Sequence, residues 1–118
     1  MKKTGIRHIL VPIDFSGMSL QGIETAKRLS RHFGATIHVA HAYESPYGRG
    51  FVASGMTWGD FPAALAEETR KQLEQQLTTL ASKCGLSPGD QTHFREGAPA
   101  FDVICNLAAE IPADLLVV

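Results

Sequence analysis

The stretch "HILVPIDFSG", residues 8–17, decides the fold of this chain. Its residues 9–13 form a short, continuous apolar run, which is typical of a strand buried on both faces of a sheet. Pro12 cannot donate a hydrogen bond to a sheet ladder, so the ladder must be ending there. The sequence therefore predicts a first strand over about residues 6–13, with Asp14 just beyond its end.

Helices and strands alternate after this first strand. Ser16 is placed to cap a helix, and apolar residues recur every three or four positions up to Gly34, which suits a left-handed C-cap. The alternating stretch "ATIHVAHAY", residues 35–43, predicts the second strand. A second helix is predicted to begin at an N-cap Asp60 and to end at Gly85. Its apolar stripe comprises Leu65 or Ala66, Thr69, Leu73, Leu77, Leu80, Ala81 and Cys84.

The last third of the chain predicts one more helix between two strands. The mostly polar stretch "QTHFR", residues 91–95, is typical of a strand at a sheet edge. Pro99 suits the first turn of the third helix, and "DLLVV", residues 114–118, predicts the fourth strand. The buried stripe of the third helix is predicted to be Phe101, Ile104, Cys105, Ala108 and Ile111.

This order predicts an α/β fold: an open parallel sheet with helices on both faces, Rossmann-like in the broad sense. A polar third strand at the edge and an apolar first strand in the centre give the strand order 3-2-1-4. The winding then reverses between strands 1 and 4, and ligands of such sheets bind beyond the carboxyl ends of the strands at that point. We therefore expect Asp14 to line a ligand crevice; a second, compatible interpretation is that it caps the first helix.

The composition indicates a globular protein and argues against nucleic-acid-binding and membrane-spanning classes. The chain has 118 residues, of which 44% are hydrophobic and 19% charged, as expected for a single globular domain over residues 1–118. The net charge of −1 and the lack of a basic cluster beyond Lys2 and Lys3 argue against nucleic-acid binding. No stretch is long enough for a membrane span, and Cys84 and Cys105 lack redox or metal spacing, so we interpret both as reduced core residues and expect a cytoplasmic protein.

Other chemistry finds little support in the sequence. There is no GxSxG motif and no nucleophile with a base placed near it, so we expect no enzyme activity. His38 and His41 lie three apart on a strand and point to opposite faces, so we expect no metal site and interpret His41 as a hydrogen-bonded core residue. The Gly-rich and aromatic segment 44–60 is interpreted either as a lid or partner surface, or as a plain connector.

Three segments taken together resemble a known family. "HILVPIDFS", "IHVAHAYE" and "REGAPAFDVICNLAAEIPADLLVV" are similar to a universal stress protein domain, and the resemblance covers essentially the whole chain. It implies a doubly wound domain of the adenine nucleotide alpha hydrolase-like kind, which is cytoplasmic, often homodimeric and induced in stress. Many members of the family bind ATP, and others do not.

The resemblance also implies where a nucleotide would bind. By position, Pro12, Ile13 and Asp14 would contact the nucleoside and Ala42 would lie near the base. Residue 13 is commonly small and polar in the family, so Ile13 is a departure: it fills space but adds no hydrogen bond.

A second departure lies at the end of the chain. In the family, strand 4 leads into a Gly-rich loop that cradles the triphosphate, then into a last helix and strand 5. This sequence reaches Val118 before those elements. We therefore expect a universal stress protein domain without its C-terminal portion, holding only part of a nucleotide site.

Two functions stay open on these grounds. The first is a stress-response domain that in its complete form binds ATP, uses its occupancy to regulate association, and performs no fast catalysis. The alternative is a dimeric interaction or signalling module of the same family that binds no nucleotide; Ile13 and the missing Gly-rich loop favour it.

Overall fold

The computed structural model describes residues 5–44 and 63–118, with side chains from residue 67 onward in the second segment. The elements along the chain are β1 (His8–Pro12), α1 (Gly17–Phe33), β2 (Thr36–Tyr43), α2 (Ala63–Lys83), β3 (Gln91–Glu96), α3 (Ala100–Glu110) and β4 (Leu115–Leu116). This is the predicted alternation, although β1 and β4 are shorter than the predicted spans 6–13 and 114–118. The predicted N-cap Asp60 and nearly all of the segment 44–60 lie outside the described residues.

The sheet is parallel, with the strand order β3-β2-β1-β4. The pairing of β1 with β2 runs from His8 opposite Thr36 to Pro12 opposite Ala40, and Leu10 lies opposite Leu116 of β4. The predicted order 3-2-1-4 is confirmed. The apolar β1 lies between two neighbours, whereas the polar β3 occupies one edge of the sheet, where its side chains are exposed or half-buried.

Helices cover both faces of the sheet. On one face, Ile9 and Val11 of β1 lie in a large core with Ile23 of α1 and Leu77 of α2. On the other face, Leu10 of β1 joins a smaller core that is covered by α3. Because successive side chains of a strand point to opposite faces, β1 supplies both cores at once, and it is fully buried at its centre.

The ends of the first two helices follow the signals in the sequence. The Ser16 side chain accepts the Ser19 N–H at the start of α1, and Gly34 (φ 72°) ends that helix in the left-handed conformation. Gly85, also left-handed (φ 71°), follows α2. Lys27 of α1 donates to the main-chain carbonyl of Cys84 at 2.6 Å, which ties α1 to the end of α2.

None of the helices within the described segments has the length and apolarity that a bilayer span requires.

The predicted buried stripe of α3 is wrong at two positions. Phe101 is 75% exposed and Cys105 is also exposed, whereas Leu107, absent from the prediction, is 2% exposed. The side chains that pack on the sheet are Ile104, Leu107, Ala108 and Ile111. These four follow an i, i+3, i+4, i+7 pattern, and their centre is rotated away from residues 101 and 105. Both cysteines are free, but only Cys84 packs against a core.

Two carboxylates organise the amino ends of the strands, and we call them the amino-edge carboxylates. Asp90 accepts the backbone N–H groups of Ile37 (2.8 Å) and Ser87 (2.9 Å). Asp114 accepts those of Arg7 (2.8 Å) and His8 (3.0 Å), and these bonds hold the pKa of Asp114 below its ordinary 3.8. They satisfy main-chain donors at the points where β1 and β2 begin.

The packing of α3 yields a direct prediction. Leu107→Ala should lower the free energy of unfolding by about 2–5 kcal/mol, because it removes a buried side chain and leaves a cavity between α3 and the sheet. Phe101→Ala, six residues earlier on the same helix, should change it by no more than about 0.5 kcal/mol, because that side chain faces solvent. Urea unfolding of both variants checks this, and equal losses would mean that α3 packs through a different face.

Candidate functional site

A crevice of about 650 Å³ opens at the carboxyl edge of the sheet. Its volume falls in the range that holds a small ligand, and its place is the point where the winding reverses between β1 and β4. The four residues that the sequence singles out, Pro12, Ile13, Asp14 and Ala42, all line it. The other lining residues are Ser16, Met18, Ser19, Gln21, Gly22, Thr25, His41, Ala100, Ile104, Val117 and Val118.

The turn between β1 and α1 places Asp14. The Ile13 N–H still bonds to the Ala40 carbonyl at 2.8 Å, so sheet-like pairing continues one residue past Pro12. The chain then turns sharply: the Asp14 Oδ1 accepts the Ser16 N–H at 2.9 Å, and Phe15 adopts a left-handed φ of 66°. That conformation is strained for a residue with a side chain, by about 1 kcal/mol or more. Asp14 is exposed at the rim of the crevice, where the Ser16 N–H holds its carboxylate.

His41 fixes the other end of this turn. Its Nδ1 lies 2.8 Å from the Ile13 carbonyl oxygen and donates to it, while its ring lies 4.8 Å from that of Phe15 and 5.9 Å from that of Phe94. His41 is half-buried and lines the crevice. The prediction of a hydrogen-bonded histidine is right, but its placement in the core is wrong: His41 lies one residue past Ala40, the partner of the last residue of β1, and is only half-buried there.

The floor of the crevice is apolar. Ile13 is 5% exposed, and both its N–H and its carbonyl are already paired within the protein. Ile13 can therefore offer a ligand van der Waals contact but no free N–H donor. Ala42, on the neighbouring strand, carries a small half-buried side chain that leaves room above it.

The first turn of α3 forms the opposite wall. The Glu44 carboxylate accepts the Ala100 N–H at 2.8 Å, and the Gly97 N–H donates to the Tyr43 carbonyl at 3.0 Å. A Cβ at Gly97 would lie 2.8 Å from Cγ2 of Val103, so glycine lets α3 approach the end of β3 closely. This is the physical reason for the glycine in the stretch "EGAP".

The charge in the crevice is carried by Asp14. The hydroxyl and the backbone N–H of Ser16 favour the charged carboxylate and hold the pKa of Asp14 below its ordinary 3.8. Among the described lining residues none is lysine or arginine. The amino ends of α1 and α3, which carry partial positive charge, flank the crevice. Such a site suits a ligand with an apolar face and hydroxyl groups that donate to a carboxylate.

The α1 side of the crevice was not predicted from the sequence. Met18, Gln21, Gly22 and Thr25 recur at helical spacing and form a stripe beside the buried stripe that holds Ile23. This spacing was available as a signal, but without the strand order nothing shows that the stripe faces a ligand. In the described segments, no group of three or more His, Cys, Asp or Glu side chains could hold a metal ion.

The turn at Asp14 can be tested by titration. Ser16→Ala should raise the pKa of Asp14 toward 3.8, because it removes the hydroxyl that favours the charged form, and it should also destabilise α1 by about 1 kcal/mol through loss of its cap. Asp114 is the internal control, since its low pKa depends on the N–H groups of Arg7 and His8. Carboxyl ¹³C NMR titration measures both, and an unmoved Asp14 would contradict this account.

Known proteins with solved structures share this fold. A universal stress protein crystallised with cAMP is 23% identical and superposes with a TM-score of 0.59, covering 96% of this chain and 71% of that one. A universal stress protein family member from Burkholderia pseudomallei is 18% identical, with a TM-score of 0.66 and coverage of 92% and 77%. The hypothetical protein MJ0577 is 14% identical, with a TM-score of 0.70 and coverage of 97% and 74%.

At these identities the likeness speaks for the fold alone, and no curated protein matches the chain. The family is established by sequence. The model of the universal stress protein family matches residues 5–118, which is nearly the entire chain. The chain belongs to the universal stress protein family.

Proposed function

We propose that this domain is a stress-response module that binds an adenine nucleotide in the crevice at the carboxyl edge. In the complete form of the domain, we propose that this nucleotide is ATP. The observation that carries the proposal is the position of Asp14: an ionised carboxylate at the rim of an apolar crevice, where β1 and β4 diverge. An adenosine group matches that arrangement, because it combines a flat apolar base with ribose hydroxyls.

Each predicted site residue has a distinct role in this proposal. Pro12 and Ile13 pack against the base, and the small side chain of Ala42 leaves space for it. Asp14 accepts hydrogen bonds from the ribose hydroxyls, and it is held in place by the Ser16 N–H. Since the Ile13 N–H is already paired with Ala40 and its side chain is apolar, residue 13 recognises the base by shape.

The relative crystallised with cAMP supports the class of ligand, since cAMP contains an adenine base and a ribose. ATP is our extension of that class, drawn from the family to which the chain belongs. The amino ends of α1 and α3 at the crevice favour a negatively charged ligand, which is consistent with a phosphate.

We propose further that the domain acts by binding, as a cytoplasmic homodimer whose association responds to the nucleotide. Met18 (81% exposed) and Phe101 (75% exposed) project from the first turns of α1 and α3, where ligand binding would alter their surroundings. Turnover of ATP should stay below about 1 s⁻¹, the low end of ordinary enzymes.

A second function is an interaction module of the same family without a nucleotide. It is favoured by the lining of the crevice, in which the described residues include Asp14 but no basic side chain to pair with phosphate. In this case the exposed apolar side chains around the crevice would contact a second copy of the chain.

Nucleotide binding can be tested with two acidic positions. Asp14→Asn should weaken ATP binding about tenfold or more, because it removes a charged hydrogen-bond acceptor while its amide oxygen can still accept the Ser16 N–H. Asp102→Asn removes the same charge from an exposed position in the first turn of α3 that does not line the crevice, and it should leave affinity unchanged. Isothermal titration calorimetry compares the two variants with the wild type.

The outcomes separate the two functions. Wild-type binding that is lost in Asp14→Asn and kept in Asp102→Asn supports the nucleotide site. Equal affinities in both variants would mean that the site is elsewhere, and no binding by the wild type, with no nucleotide released from the purified protein by mass spectrometry, would favour the interaction module.

A further inference from the structure

Three histidines, one from each of β1, β2 and β3, form a row across the sheet. His8 Nδ1 lies 3.1 Å from His38 Nε2, and His38 Nδ1 lies 2.9 Å from His93 Nε2. The rings belong to β1, β2 and β3, and their centroids are 5.2 Å and 5.1 Å apart. We call this set the histidine row. Its members are far apart in the sequence, and only the parallel pairing of the strands brings them together.

The hydrogen bonds restrict where the protons lie. Each N···N contact needs one nitrogen with a proton and one without. His38 takes part in both contacts, so when it is neutral it donates to one neighbour and accepts from the other. All three neutral rings must then carry their proton on the same type of nitrogen, either Nδ1 throughout or Nε2 throughout.

This arrangement also limits how many protons the row can hold. One extra proton can go to an outer nitrogen, His8 Nε2 or His93 Nδ1, and both N–H···N bonds survive. A second extra proton must enter one of the two contacts, where it removes the accepting lone pair. That contact then breaks, and two positive charges lie within the row.

Burial makes a second extra proton on the row energetically costly. His38 is 4% exposed, between half-buried His8 and His93. Burial, and the neighbouring rings of His93 and His8, lower the pKa of His38 below 6.5, while burial and Arg95 lower that of His93. The carboxylates around the row only partly offset these shifts: Asp90 acts to raise the pKa of His38, and Glu110 of α3, which acts to raise that of His93, is itself paired with Arg95 at 2.9 Å. Asp114 accepts the backbone N–H of His8. Arg7, whose N–H bonds Asp114, adds a positive charge near His8.

We propose that the histidine row is a proton-sensing element of the sheet, which tolerates one extra proton and opens a cross-strand hydrogen bond on the second. The domain is then fully stabilised by the row above about pH 6.5, the ordinary pKa of histidine, and loses stability as the pH falls below that value. The reason is that three unfolded histidines each bind a proton there, while the folded row binds one. The proposal does not depend on the nature of the ligand in the crevice.

Unfolding at graded pH tests the proposal. For the wild type, the unfolding equilibrium constant should rise between pH 7.5 and 5.0, with a slope that approaches about two log units per pH unit near pH 5.5. His38→Leu should flatten this slope, because it replaces the central titratable ring by an apolar side chain that a buried strand position accepts. His32→Gln is the matched control: His32 is exposed on α1, outside the row, and its variant should follow the wild type.

The outcomes decide the question. A wild-type slope near zero, or parallel slopes for His38→Leu and the wild type, would overturn the proposal. Because the comparison is between variants, protonation of carboxylates below about pH 5 cancels. Should His38→Leu fail to fold, ring ¹⁵N NMR of the wild type decides instead: one shared tautomer at pH 7.5 supports the row, and mixed tautomers or three independent titrations near 6.5 refute it.

Discussion

The burial of β1 on every side is the constraint on which the rest of the structure depends. Ile9, Leu10 and Val11 are fully buried, so the strand needs a hydrogen-bonded neighbour on each side and a helical layer on each face. β2 and β4 supply the neighbours, α1 and α2 cover one face, and α3 covers the other. Because the chain must wind outward from β1 in both directions, the sheet reverses its winding beside that strand. The crevice is the direct geometric result of this reversal.

The chemistry of the crevice follows from how β1 ends. Pro12 cannot donate a hydrogen bond to the ladder. The next residues form hydrogen bonds with nearby groups: Ile13 with the Ala40 carbonyl and the His41 ring, and Asp14 with the Ser16 N–H. Both main-chain groups of Ile13 are thus paired within the protein, while the carboxylate of Asp14 is exposed and the hydrogen bonds from Ser16 hold its pKa below the ordinary value. A site of this kind discriminates ligands by shape at its floor and by hydroxyl groups at its rim, which is how we account for the adenosine group in the proposed function.

Much of this could be predicted from the sequence, since the deciding signals are local. Local features of the sequence predict the elements one by one: the apolar run of β1, the cap at Ser16, the left-handed Gly34 and the polar β3. Together they predict the strand order. The face of α3 could not be predicted as reliably, because Phe101 and Cys105 are as apolar as the residues that pack, and the angle of the helix on the sheet decides between them. The histidine row could not be predicted because its members meet only across strands, and the α1 side of the crevice could not because the strand order decides which stripe of that helix lines it.

The amino-edge carboxylates have a consequence for how such a domain can diversify. Asp90 and Asp114 bond to main-chain N–H groups, so they hold the starts of the strands without reference to any neighbouring side chain. Ile13 and Ala42 lie at the far ends of the same strands. Substitutions that alter ligand preference therefore fall at one pole of the sheet, while the anchoring of the strands is secured at the other. A scaffold divided in this way can acquire a new specificity through a few side chains and still assemble as before.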